Sequence, residues 1–171
     1  MFDRIFLWGM MGAGKSHQGK LLANRLKWQY IDLDEYIESK IGLSVSEIFQ
    51  QKGEDHFRQM EGDALSDLIK LEKIVVSTGG GAPCFFGLDD EMLENGVCIY
   101  LEASSRFLAS RLAQGISKRP LLKELGSDSD LVGYLENLLN QRKVHYEKAH
   151  VRIDCLGVSS EKIIQKIDQL F

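Results

Sequence analysis

One glycine-rich turn constrains this chain more than any other feature. Leu7 to Leu22 reads LWGMMGAGKSHQGKLL. An apolar, strand-like run enters the turn and a helix-like pattern leaves it. Within it stands Gly9-x-x-x-x-Gly14-Lys15-Ser16, the spacing of a phosphate-binding loop. Such a loop turns backbone N–H groups inward at the N-terminus of a helix, where the helix dipole also favours an anion. Gly12 and Gly14 permit the turn. Lys15 is expected on the β- and γ-phosphates of a nucleoside triphosphate, and Ser16 on Mg²⁺. The motif needs a strand before it and a helix after it, and both patterns are there. It leaves open where the third phosphate goes.

Further along, short apolar runs alternate with helical patterns. Strands are expected at Ile5–Trp8, Gln29–Asp32, Lys73–Ser77, Val97–Leu101 and, weakly, Arg152–Asp154. Helices are expected at Lys15–Leu26, Glu54–Leu71, Ser104–Gln114, Asp130–Tyr146 and Glu161–Phe171. Ser44-Val45-Ser46-Glu47 forms a capping box for a short helix that stops near Gly53. This alternation predicts a three-layer α/β/α fold, a five-stranded, mostly parallel sheet covered on both faces; with the glycine loop after its first strand it resembles the phosphate-loop kinase type. Residues 1–171 form one expected domain. The polar, glycine-bearing stretch from Gly115 to Asp128 reads as a mobile lid.

The formal net charge of −4 argues against nucleic acid as a main partner, though a few arginines can still build a pocket for a small anion. No apolar run approaches the ~18 residues of a membrane helix. The first residues, MFDRIFLWG, are too short and acidic for a signal peptide. Three cysteines, Cys84, Cys98 and Cys155, and four histidines, His17, His56, His145 and His150, show no metal-ligand spacing. Free thiols in a reducing, cytoplasmic setting are expected.

Several residues carry possible chemistry. Asp32, closing the second strand, suits a metal contact through water, and equally a helix cap. Glu102, ending the fourth strand, is a competing acid. Asp34 would share a face with Asp32 if extended backbone continued through Leu33; alternatively Asp34-Glu35 opens a helix. Arg58 and Arg142 lie in helical patterns, where a surface ion pair is the commoner fate. Gly79-Gly80-Gly81, directly after a strand, points to backbone approached closely by a ligand. Arg119, in Arg-Pro-Leu-Leu, sits in the expected lid.

Taken together and in order, GMMGAGKS, DLD, GEDHFR, STGGG, RPLL and RKVHY resemble the shikimate kinase family, over Ile5 to about Asp154. The resemblance implies ATP-dependent phosphorylation of the shikimate 3-hydroxyl, with Mg²⁺, by a monomer acting on small molecules. It places Gly12, Ala13, Gly14, Lys15, Ser16 and His17 at the ATP phosphates, Arg111 near the adenine, and Asp32 and Ser16 on the metal. Asp34 would bind ring hydroxyls, as orienter first and base second. Arg58 and Arg142 would clamp the carboxylate, a task suited to planar guanidinium groups. Gly79, Gly80 and Gly81 would line the ring, and Arg119 would close over the phosphates. His17 departs from the threonine usual there, and Ala82–Gly87 and Leu156–Ser159 match the family poorly. A gluconate-kinase-like enzyme, a nucleoside-monophosphate kinase or a nucleotide-binding switch would share the loop without this acceptor set.

Overall fold

The computed structural model describes residues 2–113 and 128–170. Five strands, β1 (Arg4–Trp8), β2 (Gln29–Asp32), β3 (Ile74–Ser77), β4 (Val97–Glu102) and β5 (Val151–Asp154), form one sheet in the order β2-β3-β1-β4-β5. Every pairing is parallel. Ile5, Phe6, Leu7 and Trp8 are all fully buried, so β1 is covered on both faces, as a central parallel strand must be.

The helices are α1 (Lys15–Leu26), α2 (Leu33–Ile41), α3 (Val45–Lys52), α4 (Glu54–Leu68), α5 (Leu88–Asn95), α6 (Ser105–Ala113), α7 (Asp128–Tyr146) and α8 (Ser160–Asp168), with a 3₁₀ turn at Ala82–Cys84. α1 packs on β1, β2 and β3, and α8 on α1 and β5. The expected strands and the bounds of α1 agree with these elements to within one residue. The capping box is formed: Ser44 accepts from the Glu47 N–H, and Glu47 accepts from the Ser44 N–H. α4 stops at Leu68, three residues short of the expected Leu71, and α8 at Asp168.

Two corrections concern helices. Backbone does not stay extended through Asp34. β2 runs directly into α2, with Asp32 as N-cap accepting from the Asp34 N–H at 3.2 Å. α5 was not expected from the sequence. The lid expectation falls largely outside the described residues, as does Arg119. Among the described residues no helix is long and apolar enough to cross a membrane.

The strand order sets the site. The crossover from β1 passes β3 to reach β2, while the crossover from the adjacent β3 passes β1 to reach β4, in the opposite direction. A crevice therefore opens at the carboxyl ends of β1 and β3, where open α/β sheets bind ligands. Register brings Leu7 beside Ser77, and Asp32 beside Ser77. The phosphate loop, Asp32 and the triple glycine thus emerge along one edge.

Candidate active site

A cleft of about 340 Å³ occupies that edge. Gly12, Gly14, Lys15, Ser16, His17, Asp32, Asp34, Gly79, Gly80 and Arg111 line it, together with Met11, Thr78 and Leu112. Glu102 is absent from this lining and pairs instead with Arg152 at 3.5 Å. Between Asp32 and Glu102, Asp32 is thus the acid in the cleft.

The phosphate-loop half is built by the turn between β1 and α1. Gly14 is the N-cap of α1 at φ 95°, a left-handed conformation that a side chain resists. No acidic residue stands in the first turn of α1, so its N-terminal field is unopposed there. Lys15 folds back, its Nζ donating to the carbonyls of Gly9 (2.7 Å) and Met10 (3.1 Å). Ser16 Oγ donates to Asp32 Oδ2 at 2.9 Å, and Tyr30 Oη donates to the same oxygen at 3.1 Å. A Cβ on Gly14 would lie 3.2 Å from Nη1 of Arg111, which places that guanidinium over the loop. Ala13 is buried in the turn, its N–H bonded to the Met10 carbonyl. His17 is exposed at the mouth.

The second half surrounds the triple glycine. A Cβ on Gly79 would fall 2.6 Å from Glu61 Oε1 and 3.0 Å from Asp34 Oδ1. On Gly80 it would be 3.2 Å from Arg142 Nη1, and on Gly81 2.5 Å from Arg58 Nη2. The three glycines are therefore needed for space: four charged side chains crowd that backbone. Arg58 and Arg142 lie behind this wall and do not line the cleft itself.

Arg58 is 6% exposed, and the ion pair that its helical position allowed is formed, with the guanidinium buried rather than at the surface. It forms ion pairs with Glu54 (2.8 Å) and Glu61 (2.6 Å), one helical turn to either side. Its guanidinium also lies 4.6 Å from the ring of Phe85, 5.5 Å from Phe57 and 5.9 Å from Phe49. Three hydrogen bonds occupy Nε, Nη1 and Nη2, and a guanidinium carries more N–H groups than these use. Arg142 is half-buried. Its Nη1 approaches the Met10 sulfur at 3.9 Å; among the described residues it forms no close ion pair, though its charge acts on Glu61.

Two carboxyl oxygens, Asp34 Oδ1 and Glu61 Oε1, are buried without a hydrogen-bond partner among the described residues, and both face Gly79. Burial pushes the Asp34 carboxyl up to about 6, with the Asp32 charge adding to the rise. Burial likewise raises Glu61 to about 7, against the pull of Arg58. Asp34 lines the cleft with Lys15 and Arg111, and Glu61, Arg58 and Arg142 stand behind it, a mix of unpartnered acceptors and cations that suits a polyhydroxylated anion.

Sequence reading passed over Glu61, Met10 and Tyr146. Glu61 stands three residues after Arg58, a same-face spacing that was available as a signal. Tyr146 donates its hydroxyl to the Gly80 carbonyl and stacks on Tyr100 at 5.0 Å. No local pattern reveals that contact, since 66 residues separate the partners.

Sheet and loop define the fold of a phosphate-loop kinase. The family model for shikimate kinase matches residues 11–170. A shikimate kinase of Parabacteroides distasonis is 39% identical over 164 residues, covering 96% of this chain and 94% of the relative. A crystal structure of shikimate kinase from Bacteroides thetaiotaomicron superposes with a TM-score of 0.89 at 35% identity, covering 98% and 97% of the two chains. The Acinetobacter baumannii enzyme, solved in complex with shikimate, gives 0.85 at 32% identity over 99% of this chain and 93% of that one. The chain belongs to the shikimate kinase family.

Proposed function

We propose that this protein transfers the γ-phosphoryl of ATP to the 3-hydroxyl of shikimate, giving shikimate 3-phosphate and ADP. The observation that carries the reading is Arg142, a half-buried cation that forms no close ion pair among the described residues, set against Gly80, next to the glycine that faces the unpartnered oxygens of Asp34 and Glu61. A carboxylated ring with several hydroxyls meets all of these groups at once. The shikimate bound in the Acinetobacter baumannii relative supports that assignment.

In this reading Gly12, Ala13, Gly14, Lys15 and Ser16 hold the phosphates, with His17 at their edge and Arg111 toward the base. Lys15 leaves the Gly9 and Met10 carbonyls for the phosphates. Arg58 and Arg142 take the acceptor carboxylate, and Gly79, Gly80 and Gly81 let the ring approach the backbone. Arg119, outside the described residues, is assigned to the phosphates on its motif alone.

Mg²⁺ fits the donor set. The Ser16 hydroxyl and the Asp32 carboxylate are hard oxygens already in contact at 2.9 Å. Bound there with ATP, the ion would neutralise charge on the β- and γ-phosphates. Phosphoryl transfer passes through a loose transition state, so positioning and charge stabilisation dominate. Asp34 orients the hydroxyl and then accepts its proton, a role served by a carboxyl raised to about 6. The reading includes a monomer acting on small molecules in the cytoplasm, a reducing setting that suits its three unpaired thiols.

Coupled detection of ADP with Mg²⁺ and shikimate tests the reading. Gluconate and nucleoside monophosphates are the controls. Turnover with shikimate alone is expected, whereas folded protein inert toward shikimate would overturn the assignment.

A further inference from the structure

Behind the acceptor wall lies a second set of charges that none of the roles above uses. Asp89, near the start of α5, is 2% exposed. Its Oδ2 lies 2.7 Å from His145 Nδ1 and accepts from Lys148 Nζ at 2.8 Å. Its Oδ1 accepts from the Asp90 N–H at 3.0 Å. Lys148 also reaches Asp90 at 2.9 Å. Hydrogen bonds from Lys148 and His145 outweigh burial and hold the Asp89 carboxyl below its usual range. An ionised carboxylate only accepts, so Nδ1 of His145 carries the proton in this contact.

The position of this cluster is informative. α5 follows the triple glycine through the short 3₁₀ turn at Ala82–Cys84. His145 lies in the last turn of α7 and Lys148 just beyond it. In that turn Tyr146 bonds to the Gly80 carbonyl. The glycine segment and α7 are therefore joined twice, at Gly80 by Tyr146 and at Asp89 by His145 and Lys148. Arg142 stands one helical turn before His145 and Tyr146, on the same side. Its guanidinium faces the space above Gly80 that a Cβ would enter at 3.2 Å. None of Asp89, His145 and Lys148 lines the cleft.

We propose that Asp89 is a positioning residue for the acceptor site, cross-tying α5 to the end of α7 so that Arg142 stays in register with Gly80. The inference rests on the reading that Arg142 takes the shikimate carboxylate. The tie is buried at its centre, so loosening it frees the last turn of α7 to shift against the glycine wall. A shift of about 1 Å is enough to damage recognition at a charged pair.

The test is a double-mutant cycle between Asp89→Asn and Arg142→Ala, read as separate KM values for shikimate and ATP and as kcat. Asp89→Asn keeps the side chain's shape and removes its charge. The expected result is a rise of about tenfold in shikimate KM, with ATP KM and kcat within about twofold of wild type. In the Arg142→Ala background the same change should add nothing to shikimate KM. A purely structural role predicts otherwise: equal losses for both substrates, or the same fold-loss with and without Arg142. Either result, or an unchanged shikimate KM in folded Asp89→Asn, overturns the inference. Arg142→Ala alone checks the underlying reading, because an unchanged shikimate KM there rejects the clamp independently of Asp89. Should Asp89→Asn fail to fold, the paired change His145→Gln with Lys148→Met cuts the same ties from the more exposed partner side, and is judged by the same outcomes.

Discussion

Arg58 shows how one side chain reconciles a structural and a chemical task. Its ion pairs with Glu54 and Glu61 fix the guanidinium, and the Phe49, Phe57 and Phe85 rings enclose it. Held in this way it cannot swing aside, so Gly81 must have no side chain. Gly81→Ala is therefore expected to push the guanidinium off its position and raise shikimate KM by about tenfold or more, leaving ATP KM near wild type. Steady-state kinetics with each substrate varied in turn checks this; an unchanged shikimate KM would show that Arg58 yields freely. Truncating Arg58 itself is a less clean probe. Arg58→Ala would strand Glu61, and removing one partner of a buried pair costs about 3–5 kcal/mol in stability. Arg58→Lys keeps the charge but loses the planar fork. It should weaken shikimate binding by up to the ~1.5–3 kcal/mol of a charge-assisted contact, measurable by calorimetry. No change in that affinity would remove Arg58 from the clamp. The role of Arg58 was half legible in GEDHFR. The residue was visible, and its neighbours predicted an ion pair correctly. What local sequence does not carry is the approach of Gly81, from the loop after β3, to a side chain on α4.

At the scale of elements, the junction of β2 and α2 does two jobs with one carboxylate. Asp32 caps α2 through Oδ1 and meets Ser16 and Tyr30 through Oδ2. The two uses separate by substitution. Asp32→Asn retains a good capping side chain, while Asp32→Ala loses about 1 kcal/mol with the cap. Both should raise the Mg²⁺ concentration needed for half-maximal activity, whereas only the alanine variant should lower the urea midpoint. A wild-type Mg²⁺ dependence in Asp32→Asn would show that the carboxylate serves the helix alone. This junction also explains why the sequence left two readings of Asp34 open, of which the helical one holds. With no loop between β2 and α2, the strand pattern ends and the helix begins inside Asp32-Leu33-Asp34, so a period of two overlaps a period of 3.6. α5 was hidden for another reason. It is only eight residues long and starts from Gly87 at φ 72° with no side-chain cap. By contrast, β1, the phosphate loop and α1 were fully legible, because apolar run, glycines and helical pattern follow one another without overlap.

Across the whole molecule, the cleft is cut into ground that would otherwise stabilise the fold. Glu61 is 0% exposed and carries an oxygen with no hydrogen-bond partner among the described residues; its neighbour Asp34 carries another. Burial raises Glu61 from 4.5 to about 7, and the Asp34 charge adds to the rise. The Arg58 ion pair pulls the other way and loses. A carboxyl whose folded value lies above its unfolded one supports the fold fully below the unfolded value. That support disappears as pH rises through the folded value. Glu61 should therefore make the protein progressively less stable between about pH 4.5 and pH 7, in a window set by its own shift. Glu61→Gln keeps an acceptor for Arg58 and cannot ionise. Urea midpoints of wild type and Glu61→Gln, measured from pH 4.5 to 8 at constant ionic strength, should show wild type losing ground to the variant as pH rises. A difference that stays flat would mean that the Arg58 pair fully offsets burial. A difference that grows in favour of wild type would mean that the ionised pair stabilises the fold. In the expected case the acceptor site stores strain as buried carboxyl oxygens that lack a donor, and a hydroxylated ligand donating to Glu61 and Asp34 relieves it. Shikimate should then stabilise wild type more at pH 8 than at pH 5 and show a weaker pH trend with Glu61→Gln, in thermal shifts at matched saturation.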